Sequence, residues 1–474
     1  MYRLIIIFFF IVFNSMVWGQ RSYQKYFTEQ ALRIDFYHVG DKEQEIIIWD
    51  HLYQEARWAG NPHHLLDSLN LGHYLLRVYD LKTNMLIFSY GFCSLFQEWQ
   101  TTSEALEGGH KVIPATLRIP FPLNKIQLEI LRRDKQNLFS RLIAQRIINP
   151  QTTLISTESR SEYDQLLEIQ KFEDPAQMVD LLFLGEGYTA EQAADFENDV
   201  RRLNEKLFTI EPFRSYKSKF NIFALLAFSR EVGVDHPSQK VFKNTPLNFS
   251  FSTFGSQRYL MSADNKSIND LAAAVPFDVL VILVNTDTYG GGGIYNLYTS
   301  VAAKNSYSTN ILVHELGHSF AGLGDEYYTS DVAYHNFYPL SVEPWEPNLT
   351  ILQNPAAIKW QELIDPGMPI PTPWNKEKYD HWNKTYQQQS LEMSKAGKSH
   401  RELNKLRKDH EEAINRFFDH HPYREKIGAF EGAGYVSEGI YRPSLECLMF
   451  SNRKLVFDRV CQQAIERRII FLTQ

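Results

Sequence analysis

The sequence predicts an α/β protein in which an N-terminal β-sandwich is followed by an α/β domain built around a histidine-bearing helix. Three observations carry this expectation. Short β-branched and aromatic runs recur between turn residues as far as about residue 132. A compact apolar run at 178–184 is followed by helical periodicity from Thr189. Further on, an apolar, helix-compatible segment carries His314 and His318, four residues apart.

At 474 residues the chain exceeds one ordinary core, so two domains, or one with large insertions, are expected. Hydrophobic residues at 44% and charged residues at 22% supply a sizeable core and argue against bulk disorder. The net charge of −7 is a mild imbalance with no basic footprint for nucleic acid, so no nucleic-acid partner is expected.

Residues 1–20 have the form of a signal peptide: Arg3 in a short charged start, an apolar run over 4–13, and Gly19 at the expected cleavage point. The run is short for a bilayer span, and no cysteine sits at its end to take a lipid. Export to the periplasm or the medium follows as the expectation, with no stable membrane span.

Strand-like runs fall at 34–39, 44–49, 73–79, 85–90, 111–118 and 125–132, with Gly40-Asp41 and Gly108-Gly109 among the turns. Residues 21–145 are therefore assigned to the sandwich, with a support or binding role. Residues 146–175 are polar and are assigned to a linker. The remaining 176–474 form the second domain. Within it the 178–184 run is a buried strand. Thr189 is the N-cap of a helix on which Ala193, Phe196, Val200, Leu203 and Leu207 share a face. Strands are expected at 219–228 and 277–284. A helical insertion is placed at about 328–428, where Pro-rich turns give way to a charged stretch carrying Leu403, Leu406, His410, Ile414 and Phe417 at amphipathic spacing.

The chemistry concentrates at His314-Glu315-Leu316-Gly317-His318. Residues i and i+4 leave a helix on the same face, so both imidazoles can reach one metal ion. Glu315, beside His314, is placed to act on a proton instead of binding the ion, which makes it the candidate general base. Ile311, Leu312, Val313, Leu316 and Phe320 would pack the helix into the body and fix the ligands. Two imidazoles and a carboxylate with one position left open suit a single catalytic zinc. Gly322 lets the chain leave the helix in a left-handed conformation and return Asp325 toward the metal as third ligand, with Glu326 as the alternative.

Other features have plainer expectations. Gly290 to Gly293 are not followed by Gly-Lys-Ser/Thr, so they form a flexible loop near the cleft and no phosphate site. Asp235-His236 and His420-His421 are expected to be surface residues, the alternative being auxiliary metal sites. With three cysteines in the chain, a bridge between Cys447 and Cys461 is left open, with Cys93 left over from that pair.

The segment from His314 to Tyr327 resembles the metzincin arrangement, His-Glu-x-x-His-x-x-Gly-x-x-His or Asp. It most closely resembles peptidase family M64, the IgA-peptidase-like group of secreted bacterial enzymes. The likeness extends to residues 178–188, Asp325-Glu326-Tyr327, Tyr441-Arg442-Pro443 and Cys447-Leu448-Met449. It implies a β-sandwich ahead of a metzincin-like metallopeptidase domain, zinc on His314, His318 and Asp325, Glu315 as general base, and Met449 as the Met-turn residue beneath the metal. Tyr441 and Arg442 are candidates for either oxyanion stabilisation or structure. The chain departs from the strict pattern in one respect: glycine and third ligand fall one residue later, at Gly322 and Asp325, with Ala321 and Gly324 in the strict positions.

The expected function is zinc-dependent endopeptidase action on protein or peptide substrates outside the cytoplasm. The competing class is a non-catalytic, zinc-containing exported protein that grips a polymer or host glycoprotein. Intact His314, Glu315 and His318 favour the enzyme.

Overall fold

The computed structural model describes residues 23–328 and 338–474. The signal-peptide expectation for 1–20 lies outside them, as does a short part of the insertion expected at 328–428.

Alternating apolar positions generate the N-terminal strands. β1 (Phe27–Gly40), β2 (Glu45–Glu55) and β5 (Lys111–Pro122) form an antiparallel sheet in the order β2-β1-β5. β3 (Tyr74–Asp80), β4 (Met85–Phe92), β6 (Ile126–Arg133) and β7 (Phe139–Ile148) form a second, in the order β4-β3-β6-β7. Every second residue faces one shared core: Leu32, Ile34 and Phe36 from β1 meet Leu76 and Val78 from β3 and Leu128 and Ile130 from β6. β7 lies at a sheet edge and is largely exposed, and its apolar residues fall in neighbouring pairs (Leu142-Ile143, Ile147-Ile148) instead of alternating, so it carries little strand signal.

A six-stranded sheet follows. It comprises β8 (Gln165–Gln170), β9 (Val179–Glu186), β10 (Phe220–Leu226), β11 (Val279–Val284), β12 (Gly291–Ile294) and β13 (Tyr298–Ala302), in the order β12-β13-β11-β9-β10-β8. β13, β11, β9 and β10 run parallel, and the edge strands β12 and β8 run antiparallel to their neighbours. β9, β11 and β13 are buried along their whole lengths, the environment in which apolar runs replace alternation. β8 comes from the stretch expected to be linker. Pairing with β10 supplies order that its half-exposed sequence does not signal.

Helix α1 (Ala193–Leu207) buries Phe196, Val200, Leu203 and Leu207, the predicted face. Helix α2 (Asn265–Ala272) is tied to the sandwich through buried charge. Arg33 holds Asp35 through two 2.8 Å bonds and reaches Asp270 at 2.6 Å, while Arg118 bonds Glu55 and both the side chain and the carbonyl of Asn269.

Residues 23–323 with 463–474 make one compact unit, and 324–328 with 338–462 make a second. The second contains α4 (Lys376–Lys395) and α5 (His400–Asp419) in the segment expected to be a helical insertion, and an antiparallel pair, β14 (Phe430–Ala433) with β15 (Val436–Arg442). Its small cores gather Leu349, Ala433 and Ile440, and Ile358, Trp360, Ile427 and Val460. Among the described residues no helix is long and apolar enough to cross a membrane.

Candidate metal centre

The histidines lie on α3 (Ser308–Ala321) in the first unit. Ile311, Leu312, Val313, Leu316 and Phe320 are all buried, so one helical face is sunk against the sheet and the opposite face carries the polar residues. The start of the helix is held by Arg202 of α1, which donates to Ser308 Oγ at 3.1 Å and to the Ala303 carbonyl at 2.6 Å. Its end is set by Gly322 at φ 63°, where a side chain would be strained. That turn lets the Leu323 N–H reach back 3.0 Å to the Gly317 carbonyl.

The same turn orients a ligand. The Leu323 carbonyl lies 2.6 Å from His318 Nδ1, which assigns the proton to Nδ1 and turns Nε2 outward as an acceptor. His318 Nε2 then lies 3.1 Å from His314 Nε2, the two rings near perpendicular at 81°. A Glu315 carboxylate oxygen falls within 4.8 Å of these nitrogens. The structure therefore brings His314, Glu315 and His318 together, each only partly buried.

The glycine run is a correction to the sequence expectation. Gly291 to Gly293 are not a flexible loop but most of strand β12, paired with β13. The physical reason is close approach: a Cβ on Gly293 would come within 2.3 Å of the Glu315 carbonyl oxygen, and one on Gly291 within 2.5 Å of Ile311 Cγ2. Absent side chains allow a strand to lie directly against the metal-motif helix.

Asp325 and Glu326 belong to the second unit. Asp325 is buried, with its carboxylate bonded by the Tyr435 hydroxyl and its carbonyl accepting the Gly434 N–H at 2.9 Å. Tyr435, itself at φ 64°, carried no sequence signal because its partner lies 110 residues away. Glu326 is fully buried; Asn348 Nδ2 donates to its Oε1 at 2.9 Å, and its N–H donates to the Met449 carbonyl at 2.9 Å. Met449 is buried within a turn in which the Phe450 and Ser451 N–H groups both reach the Cys447 carbonyl at 3.0 Å.

A second group of ligating side chains, missed in the sequence, surrounds Glu326. Cys447, Asp458 and Cys461 join it, all buried, with one ligand atom from each lying within 4.8 Å of the others. Cys447 and Cys461 are both free thiols, their sulfurs 3.7 Å apart, so the bridge left open by their spacing is not formed. Burial, then the nearby Asp458, pushes the Glu326 carboxyl well above the usual carboxylate range, and burial pushes the Cys447 thiol up to about 12.

Arg442, a candidate for oxyanion stabilisation or structure, lies on β15. It is fully buried, donates to the Gly432 carbonyl at 2.6 Å, and lies over the rings of Phe450 and Trp374. Tyr441 lies on β15 opposite Glu431. Two expected surface histidines are also more enclosed than predicted. His421 is buried against Phe417, and His236 stacks on Phe251, because aromatic neighbours cover their rings; His420 is exposed.

Two family models match the chain. One described as IgA Peptidase M64 matches residues 167–469, and one described as Peptidase M64 N-terminus matches residues 22–143. No curated protein matches it. The matches define the molecule as a peptidase, with hydrolysis outside the cytoplasm as the family's mode of action. The chain belongs to the M64 peptidase family.

Proposed function

We propose that the chain is a zinc-dependent endopeptidase of metzincin-like architecture, exported through residues 1–20, with His314 and His318 as metal ligands and Glu315 as general base. The observation that carries this is the facing of the two Nε2 atoms at 3.1 Å. Two nitrogens each about 2.0–2.1 Å from a tetrahedral zinc ion are about 3.3 Å apart, so the pair fits the ion with little movement. The Nδ1 bond of His318 to the Leu323 carbonyl supports the same assignment, since it commits the remaining nitrogen to a metal. Asp325 completes the set as third ligand. Its support is the left-handed exit at Gly322 and the Tyr435 bond that holds the carboxylate. The division proposed with it is a supporting sandwich over 21–145, a connector over 146–175 and a catalytic domain over 176–474 with an insertion at about 328–428.

When bound, zinc supplies Lewis-acid activation of water and of the scissile carbonyl. The chain's own residues do the rest. His314 and His318 hold the ion on a rigid helix, and the Leu323 carbonyl maintains the His318 tautomer. Glu315 accepts the proton of the attacking water at its carboxylate and returns it to the leaving amine. The partner is a protein or peptide substrate.

Chelation followed by metal return tests the proposal on a panel of unfolded proteins. Hydrolysis should stop on chelation and return with zinc. Hydrolysis that persists in metal-free protein, or an absence of cleavage by zinc-loaded protein, would count against it.

A further inference from the structure

We propose that Glu326, Cys447, Asp458 and Cys461 form a second, buried metal site that takes a thiophilic divalent cation, zinc foremost, and serves as a structural clamp. All four residues lie in the second unit, with one ligand atom from each within 4.8 Å of the others.

The sulfur atoms of Cys447 and Cys461 are 3.7 Å apart. A disulfide requires about 2.0 Å. Two thiolates at about 2.3 Å from a tetrahedral zinc ion are separated by about 3.8 Å, and a thiolate and a carboxylate oxygen on the same ion by about 3.5 Å. Cys461 Sγ lies 3.3 Å from Glu326 Oε1 and 3.6 Å from Asp458 Oδ2. Three independent edges therefore approach those of one tetrahedron.

A further observation concerns the same Glu326 carboxylate. Glu326 is 0% exposed, and its Oε2 makes no hydrogen bond among the described residues. An oxygen left in that condition is costly unless something binds it. The surroundings are also arranged as the outer layer of a metal site. Asn348 orients Glu326, and the Val460 and Cys461 N–H groups hold Asp458 Oδ1 at 2.7 and 3.0 Å. The buried Arg442 guanidinium lies near enough to Glu326 and Cys447 to offset part of the ligands' negative charge. Two thiols and two carboxylates with no open position describe a structural ion and no catalytic one.

The clamp joins segments distant in sequence. Glu326 anchors residues 324–328, whose N–H at Glu326 bonds the Met449 carbonyl; Cys447 opens that turn; Asp458 and Cys461 sit at the start of α6 (Arg459–Thr473). An ion here would fix the stretch containing Asp325 in the way a disulfide fixes a small exported domain.

The test is cobalt incorporation into the full-length mature protein, with and without His314→Ala, followed by metal analysis and near-ultraviolet absorption. Thiolate-to-cobalt charge transfer is expected in both proteins, because imidazole and carboxylate ligands cannot produce it. Wild type should hold one equivalent more metal than His314→Ala, which should retain one. Cys461→Ser should lose the charge-transfer band and lower Tm; if it does not fold, the spectra of the first two proteins decide. No thiolate band in cobalt-loaded protein, or a Cys447–Cys461 disulfide found by mass spectrometry of unreduced peptides, overturns the proposal. Wild type that holds only the thiolate-bound equivalent, the same amount as His314→Ala, overturns the catalytic assignment and leaves this one standing.

Discussion

Gly293 presses against the backbone of Glu315: a Cβ added there would lie 2.3 Å from the Glu315 carbonyl oxygen, 3.0 Å from its carbonyl carbon and 3.1 Å from its Cα. All three are main-chain atoms and cannot swing aside. Gly293→Ala must separate β12 from α3. The expected cost is about 1–3 kcal/mol of stability. Displacing the carboxylate should lower turnover roughly tenfold to a hundredfold. Thermal melting and peptide-hydrolysis rates check both, and an alanine variant matching wild type in each would show the contact to be loose.

Glu45 predicts acid sensitivity of the sandwich. Its carboxylate is buried and receives the Tyr74 hydroxyl at 2.8 Å and Arg132 Nη1 at 2.7 Å, with His38 Nε2 2.9 Å away. Burial raises its pKa, but the adjacent His38 and the Arg132 charge outweigh that and hold it below the usual range. A depressed carboxyl contributes stability that is complete above the ordinary value of 4.5 and is lost as the pH falls below it. Glu45→Gln should cost roughly 3 kcal/mol near neutrality and flatten the acid limb. Urea midpoints across that range test this; an unchanged acid slope in the variant would remove Glu45 from the account.

Glu186 predicts the opposite slope. Fully buried at the end of β9, it accepts hydrogen bonds from Thr245 Oγ1 at 2.6 Å, the Phe249 N–H at 3.0 Å and the Leu247 N–H at 3.1 Å. Desolvation exceeds these bonds and pushes its pKa up from 4.5 to about 7. The folded state therefore binds more protons than the unfolded one in that window, and stability falls as pH rises through it, by roughly 3 kcal/mol. The stability difference between wild type and Glu186→Gln should change by that order between pH 4.5 and about 7. A difference that stays constant with pH contradicts the assignment.

The parts legible in the sequence were local. Alternation placed β1 to β6 because one face of each strand is buried, and the i, i+4 spacing placed His314 and His318 on one face because helix geometry alone decides it. β7 and β8 escaped because at an exposed edge their apolar residues need not alternate, as the adjacent pairs Ile147-Ile148 and Leu166-Leu167 show, their order coming from neighbours. The glycines of β12 misled because flexibility in isolation and close approach in the fold draw on the same missing side chain. Glu326 and Cys461 are 135 residues apart, and no periodicity connects them.

The most direct test of the catalytic assignment is Glu315→Gln, with zinc content and peptide hydrolysis measured on the same preparation. Metal content equal to wild type is predicted, with turnover reduced roughly a hundredfold to ten-thousandfold. Undiminished hydrolysis by zinc-loaded Glu315→Gln protein would contradict it.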